Sequence, residues 1–295
     1  MYNNHIPVLI KEINSLLPDK VYGKCIDITF GRGGYSRVIL QNNVYCEIIA
    51  LDYDVQTFLY YLQLPSSLKK RCYFFNKNFS EINLILYKLD NPVINFIIFD
   101  LGISSIQTNN GYRGFSFFYN NRLDMRLNNN NVYSPIEAMN KLNVEILNEI
   151  IYYFGGEKKS KSIIKIISNN RLQRQIFSIY DLTNTISNIL SHNSYLHWCT
   201  QSFQSLRGYI NQELENLRKS VTNIIELASI NCVIVFISFH SVEDKLIKEI
   251  FFRVIKYSKK NFLIITKNIF FTSYKEIRKN RRSRSAKLRF VKRIK

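Results

Sequence analysis

Three aspartates close three short apolar runs in the first hundred residues: Asp27 after KCI, Asp52 after EIIAL, and Asp100 after INFIIF. Asp27 also opens DITFGRGGYS (27–36), which sets three of the chain's 10 glycines within four positions. A Gly-rich turn between a strand and a helix supplies backbone that takes positive φ and lies close to a bound group. An acid at the end of the following strand supplies a carboxylate for ribose hydroxyls, and the two together are the layout that holds a nucleoside. Two cofactors fit it. A dinucleotide site needs G-x-G-x-x-G, and Gly31-Arg32-Gly33-Gly34-Tyr35 lacks the third spaced glycine. S-adenosylmethionine has no pyrophosphate to cradle, and its sulfonium cation tolerates the Asp27 carboxylate, so the pattern favours a methyl donor. Asp100 puts a third carboxylate at the same strand edge.

Other stretches carry chemistry with two readings each. RGFSF (113–117) and LDMR (123–126) interleave Arg and Asp with aromatics. They suit stacking and phosphate contacts to single-stranded nucleic acid. They equally suit a folded loop with its Phe residues in a core and Asp124 paired to Arg126. ISFHSVEDK (237–245) ends a strand at His240, with a Ser cap and Glu243 and Asp244 in the first helical turn. His240 is placed to move a proton, or to serve as a hydrogen-bonded anchor. The terminal KNRRSRSAKLRFVKRIK divides into a free loop, NRRSRS, and a last strand within AKLRFVK.

The elements that must position these residues alternate. Apolar runs at Cys25–Ile28, Glu47–Leu51, Cys72–Phe75 and Val93–Phe99 read as strands, separated by amphipathic stretches at Tyr35–Leu40, Val55–Leu62 and Ile82–Leu89. This rhythm predicts βαβ units and a parallel sheet, whose ligands bind at the strand carboxyl ends. After Asp100 the chain turns polar and Asn-rich, with helices predicted near Pro135–Met139, Val144–Tyr153, Ser160–Ile167 and Leu182–Leu190. One long helix is expected from Phe203 to Ala228, since apolar residues recur there every three or four positions. Strand CVIVFISF (232–239), helix Val242–Tyr257 and strands Phe262–Thr266 and Lys287–Val291 then complete the sheet. The expected architecture is α/β, with 1–108 and 201–295 forming the sheet domain and 109–200 a helical insertion.

Composition limits the partners. Lys+Arg 41 against Asp+Glu 22 gives a formal charge of +19, which favours a polyanion through phosphate neutralisation and counterion release. A/T-rich codon drift inflates Lys, Ile and Asn but not Arg, so Arg113, Arg122, Arg126, Arg207 and the Arg278–Arg293 run weigh more than the lysines. The five cysteines form no CxxC pair and lie mostly in apolar runs, which argues for reduced core thiols rather than disulfides or zinc. No run approaches a membrane span and no signal peptide is legible, so a soluble cytoplasmic protein is expected.

Taken in order, HIPVL, DITFGRGGYS, ALDYD, FDLGISSIQ, RGFSF, LDMR, QSFQSLRGYINQELENL, ISFHSVEDK and NRRSRSAKLR resemble the bacterial 16S ribosomal RNA cytosine-N4 methyltransferases of the MraW type across nearly the whole chain. The resemblance implies a class I, Rossmann-like methyltransferase sheet with an inserted helical substrate domain, S-adenosylmethionine as donor, and a cytidine in the decoding region of the small ribosomal subunit as acceptor. It implies no metal. Carried over position by position, donor binding falls on Gly33, Gly34, Tyr35, Asp52, Phe79, Asp100 and Gln107, with Phe79 packed on the adenine. The family usually has His where this chain has Tyr35, so no titrating imidazole is available there. The Pro-Pro motif of DNA amino-methyltransferases is missing; Asp100-Leu101-Gly102-Ile103 stands in its place. Asp100 or a neighbouring carbonyl is therefore expected to accept from the amine, with His240 as the group for later proton removal. The rival expectation is a non-catalytic, RNA-binding ribosome-assembly factor on the same fold.

Overall fold

The structure is a computed structural model that describes residues 7–18, 21, 23–116, 119–128, 133–187, 195–257, 262–264 and 270–294. The chain divides into two compact units, residues 1–102 with 216–295, and residues 103–215.

In the first unit the short apolar runs are strands, because β-branched and aromatic side chains suit a pleated sheet covered on both faces. The strands are β1 (Lys24–Asp27), β2 (Glu47–Leu51), β3 (Cys72–Phe75), β4 (Ile94–Asp100), β5 (Val233–Ser238), β6 (Phe262–Ile264), β7 (Phe270–Phe271) and β8 (Lys287–Arg293). Their order is β3-β2-β1-β4-β5-β8-β6, with β7 also paired to β8. β1 to β5 pair in parallel, while β8 runs antiparallel to β5, β6 and β7. This is the expected Rossmann-like α/β sheet. Chain direction across it reverses between β1 and β4, the switch point where such sheets bind ligands.

Strand periodicity sorts the core. Cys25, Ile48, Ala50, Phe96, Ile98, Val233, Val235 and Ile237 bury one face against Tyr35, Ile39 and Leu40 of helix Gly34–Asn42 and against Val8, Leu9 and Ile13. On the other face Ile26, Ile49, Ile97 and Ile234 are buried, and the Phe99 and Phe236 rings stack with centroids 4.5 Å apart. Each buried Ile, Val or Phe among them stabilises the fold by about 1.5–3 kcal/mol relative to exposure, which is why the runs are apolar throughout and do not alternate. Cys25, Cys46, Cys72 and Cys232 are buried free thiols, as the sequence predicts, and Cys199 lies outside the residues whose side chains are described. Among the described residues no helix is long and apolar enough to cross a membrane.

The second unit is helical. Helices Pro135–Lys141, Val144–Glu149, Ser160–Gln173, Ile179–Ser187 and Tyr195–Ile210 enclose a separate core that includes Phe115, Leu123, Met125, Met139, Leu147, Ile164, Leu182 and Leu206. Their starts are chemically marked: Ser134 and Glu137 form a capping box, and Asn143 accepts from the Ile146 N–H.

Two expectations are corrected. The single helix through 203–228 is two helices, Tyr195–Ile210 and Glu213–Leu227, broken where Gln212 takes φ 52. The cause is Asn211, whose amide donates to the Met125 carbonyl at 2.8 Å and accepts from the Leu127 N–H at 2.9 Å. The three-and-four spacing survives because both helices bury a face. Asn211→Ala leaves both backbone groups without that partner, so unfolding by urea is expected to show a loss of about 2–4 kcal/mol; a loss below 0.5 kcal/mol would refute the assignment. Secondly, NRRSRS is not a free loop. Residues Arg281–Ser285 form a 3-10 turn after helix Tyr274–Lys279, held by Arg282 N–H to Asn280 Oδ1 at 3.2 Å and Thr272 Oγ1 to the Ser283 carbonyl at 2.9 Å.

Candidate functional site

The three aspartates occupy neighbouring strands at one edge. In the sheet register Asp27 pairs with Ala50 of β2 and Ile98 of β4. Asp52 and Asp100 therefore stand two residues beyond it on either side, a step of roughly 7 Å along the strands. Asp27 thus lies one step below Asp52 and Asp100 in the register, a notch in the strand ends that residues 28–31 enter.

The Gly-rich turn is pinned into this notch by bonds to both flanking strands. The Phe30 N–H donates to the Leu51 carbonyl at 2.8 Å, and the Ile28 N–H donates to the Ile98 carbonyl at 3.0 Å. Gly31 N–H donates to Asp52 Oδ2 at 2.7 Å, and the Asp100 N–H donates to Thr29 Oγ1 at 2.8 Å. Gly33, with φ 72, caps helix Gly34–Asn42, and a Cβ there would lie 2.6 Å from the Phe30 ring. Glycine is required on both counts. Gly34 meets Pro7, which would stand 2.6 Å from a Cβ.

The electrostatics of the notch are those of an uncompensated acid cluster. Burial pushes Asp27 up to about 6, against hydrogen bonds from Ser36 and Thr29 that pull the other way. Burial pushes Asp52 up to about 7, opposed by the Gly31 and Asp54 N–H groups and reinforced by the charges of Asp54 and Asp27. Burial pushes Asp100 up to about 8, with the negative charges of Asp27 and Glu243 adding to it. Two oxygens, Asp27 Oδ1 and Asp100 Oδ1, are sealed from solvent with no hydrogen-bond partner. Asp52 accepts from Gly31 and from Asp54 at 2.9 Å, one bond per oxygen, which leaves lone pairs for ligand hydroxyls. Buried carboxyls with raised pKa values and unpartnered oxygens favour a neighbouring cation that carries hydrogen-bond donors. Among the described residues no group of His, Cys, Asp and Glu is arranged to hold a metal ion.

The remaining sequence-derived residues fall as follows. Tyr35 is buried, and its hydroxyl donates to the Val8 carbonyl at 2.8 Å, so its side chain anchors the N-terminal segment. Phe79 begins the turn Phe79–Glu81 after β3, in the sheet unit, under an Asn78–Glu81 capping box. Gln107 belongs to the helical unit, where its Oε1 accepts from the Ser104 N–H at 3.0 Å. His240 lies beyond β5, and Glu243 engages both of its ring nitrogens: Nε2 lies 2.8 Å from Glu243 Oε1, and Nδ1 accepts from the Glu243 N–H at 3.4 Å. The helix begins at Ser241, so His240 and not Ser241 holds the capping position. Of the two readings of 113–126, the folded loop is the one seen: Phe115 is core, and Arg126 grips Asp124 at 2.7 and 2.9 Å, while Phe117 lies outside the described residues.

Sequence reading missed Ser36, which donates to Asp27 Oδ2 at 2.6 Å, and Thr29, which receives the Asp100 N–H. A polar residue in the first turn of the helix after the glycines was the available signal for Ser36. Thr29 had none, because its partner is on a strand 71 positions away.

A family model described as the MraW methylase family matches residues 2–294. A protein named ribosomal RNA small subunit methyltransferase H from Wolbachia sp. subsp. Drosophila simulans (strain wRi) is 35% identical over 98% of this chain and 99% of its own. One of the same name from Ehrlichia canis (strain Jake) is 36% identical over 98% and 100%. Another, from Orientia tsutsugamushi (strain Ikeda), is 36% identical over 100% and 99%. A solved rRNA methylase from Streptococcus thermophilus aligns over 97% of this chain and 94% of its own at 8% identity, with a TM-score of 0.45, so the fold rests on the strand order above.

Proposed function

This chain belongs to the MraW methylase family, and from that premise we propose that it transfers a methyl group from S-adenosylmethionine to the N4 amine of a cytidine in the decoding region of 16S ribosomal RNA. The observation that carries the donor assignment is the acid notch, with two partnerless carboxylate oxygens at the ends of β1 and β4. A cation bearing an ammonium and ribose hydroxyls supplies what those oxygens lack. Asp52 would take the ribose, the backbone at Gly33, Gly34 and Tyr35 would lie against the amino-acid portion, and Phe79 would pack on the adenine.

When bound, the donor supplies an electrophilic methyl group on a positively charged sulfur. The chain's own residues do the rest. The cytosine amine is a weak nucleophile because its lone pair is delocalised into the ring. An acceptor at its N–H favours the pyramidal geometry that frees the pair, and holding the base in line lowers the barrier most. Asp100 is that acceptor in this proposal. Burial makes its carboxylate a strong base once ionised, so it also takes the proton that the methylated amine must lose. His240, engaged on both nitrogens by Glu243, holds the start of its helix and positions the acid beside Asp100.

The electrostatics give a prediction with a definite sign. Raised carboxyl pKa values mean that the folded, ligand-free protein holds protons that its unfolded chain releases above about pH 4. The three acids therefore contribute most below that pH, and their contribution is lost as the pH rises through about 6, 7 and 8. A bound cation favours the ionised forms, so S-adenosylmethionine binding at pH 7 is expected to release protons, measured by calorimetry in buffers of different ionisation enthalpy. Proton uptake on binding would contradict the cation assignment.

The reaction itself is tested by incubating the protein with small ribosomal subunits and methyl-labelled S-adenosylmethionine, digesting the 16S RNA and identifying the product by mass spectrometry. N4-methylcytidine from the decoding region is expected. Binding of RNA with no label transferred would instead favour a non-catalytic assembly factor.

A further inference from the structure

The Gly-rich turn carries one cation, Arg32, to which the proposed donor site gives no part. Arg32, between Gly31 and Gly33, has its guanidinium 5.3 Å from the centroid of the Tyr60 ring, and its Nε is sealed from solvent with no hydrogen-bond partner. A charged donor held without an acceptor is costly and marks a place for an anion.

The same turn is joined to the basic segment near the C-terminus. Residues 7–9 lie against both: Tyr35 bonds the Val8 carbonyl, and the Leu9 N–H donates to Glu276 Oε1 at 2.8 Å. Glu276 is the only acid between Ser273 and Ser285, and this contact occupies it. Lys275, Arg278, Lys279, Arg281, Arg282 and Arg284 are all exposed on the segment it anchors. Tyr274 is exposed as well, with the Arg278 guanidinium 4.9 Å from its ring centroid. The Tyr35 and Leu9 bonds bring the Arg32 turn and the Arg282 segment to the same three residues, and the Arg282 guanidinium is held below its usual range by partial desolvation and by the charge of Arg32.

We propose that Arg32 and Arg282 form a site for a phosphodiester of the RNA backbone, with the strand continuing along the exposed cations of the 273–285 segment. A small anion would need only the pair. A row of cations beside an exposed aromatic ring fits a single-stranded polyanion with bases to stack. The assignment rests on the reading that the substrate is RNA.

The test is fluorescence anisotropy with a labelled single-stranded RNA oligonucleotide between about 50 and 200 mM salt. Arg282→Ala is expected to make the slope of log K against log salt shallower by about 0.7, and the Arg32→Ala/Arg282→Ala double variant by about 1.4. Arg282→Lys retains the slope, since a point charge still releases the counterion. Arg282 is exposed, so the single variant folds, as a thermal melt checks, and its affinity for S-adenosylmethionine is expected to stay within twofold. Unchanged slopes in both alanine variants overturn the site. So does a fall in S-adenosylmethionine affinity with the slope intact, which would assign the pair to the donor's carboxylate. A wild-type protein that binds no RNA at any salt overturns the RNA reading along with it.

Discussion

Asp100→Asn is expected to lower kcat for methyl transfer by about 10²–10⁴-fold, the range for removing a positioned acid–base group. The substitution keeps a carbonyl oxygen that can accept from the amine but removes the ability to take its proton. Thr29 Oγ1 receives the Asp100 backbone N–H, so the strand end stays where it is whichever side chain is present. The loss is therefore expected in single-turnover rate, with the dissociation constant for S-adenosylmethionine changing far less. Asp100→Asn also removes the acid pushed up to about 8, so proton release on donor binding at pH 7 is expected to shrink. His240→Ala serves as the comparison. It removes a helix anchor, so its expected signature is lower thermal stability with a smaller change in rate. If Asp100→Asn turned over at the wild-type rate and His240→Ala did not, the roles given to these two residues would be exchanged.

The second large effect is Gly33→Ala, expected to destabilise the protein by about 2–5 kcal/mol and to weaken donor binding more than tenfold. Two physical terms add. A residue with a Cβ in left-handed backbone at φ 72 costs about 1–2 kcal/mol. The new methyl would also stand 2.6 Å from the Phe30 ring. That ring is 2% exposed and packs edge-on against Phe74 at 5.3 Å and Tyr61 at 6.5 Å, so it has no room to yield, and overpacking costs a further 1–3 kcal/mol or so. Gly31→Ala separates the terms. Its φ is 54, but the nearest atom to a Cβ is the Thr29 carbonyl oxygen at 3.9 Å, so about 1–2 kcal/mol of strain is expected and nothing more. Thermal or urea unfolding of the pair measures the difference. Equal losses would mean that the Phe30 contact carries no energy.

How much of this was legible follows from which interactions are local. Strands β1 to β5 were readable because a sheet covered on both faces demands unbroken β-branched and aromatic runs, and that demand is written in consecutive residues. The acid-ended strands and the Gly-rich turn were readable for the same reason. Where a long-range bond decides the backbone, the pattern misled. The break at Asn211 and Gln212 is made by the carbonyl of Met125 and the N–H of Leu127, and nothing in the apolar spacing of 203–228 registers it. The basic NRRSRS stretch looked like solvated loop, yet Asn280 and Thr272 fold it into a turn.

The sequence by itself determined the alternation of elements, the three aspartates at strand ends, the glycines between them, the basic balance and the ordered motifs of a methyltransferase family. All of these are properties of residue type and near-neighbour spacing. Only the tertiary structure decided that Asp27 lies a two-residue step below Asp52 and Asp100, that burial raises all three carboxyls, that Tyr35 is committed to Val8 and His240 to Glu243, and that residues 8 and 9 join the Gly-rich turn to Glu276 of the basic segment. Each depends on desolvation or on a contact between residues distant in the chain, and both come into being only when the sheet assembles.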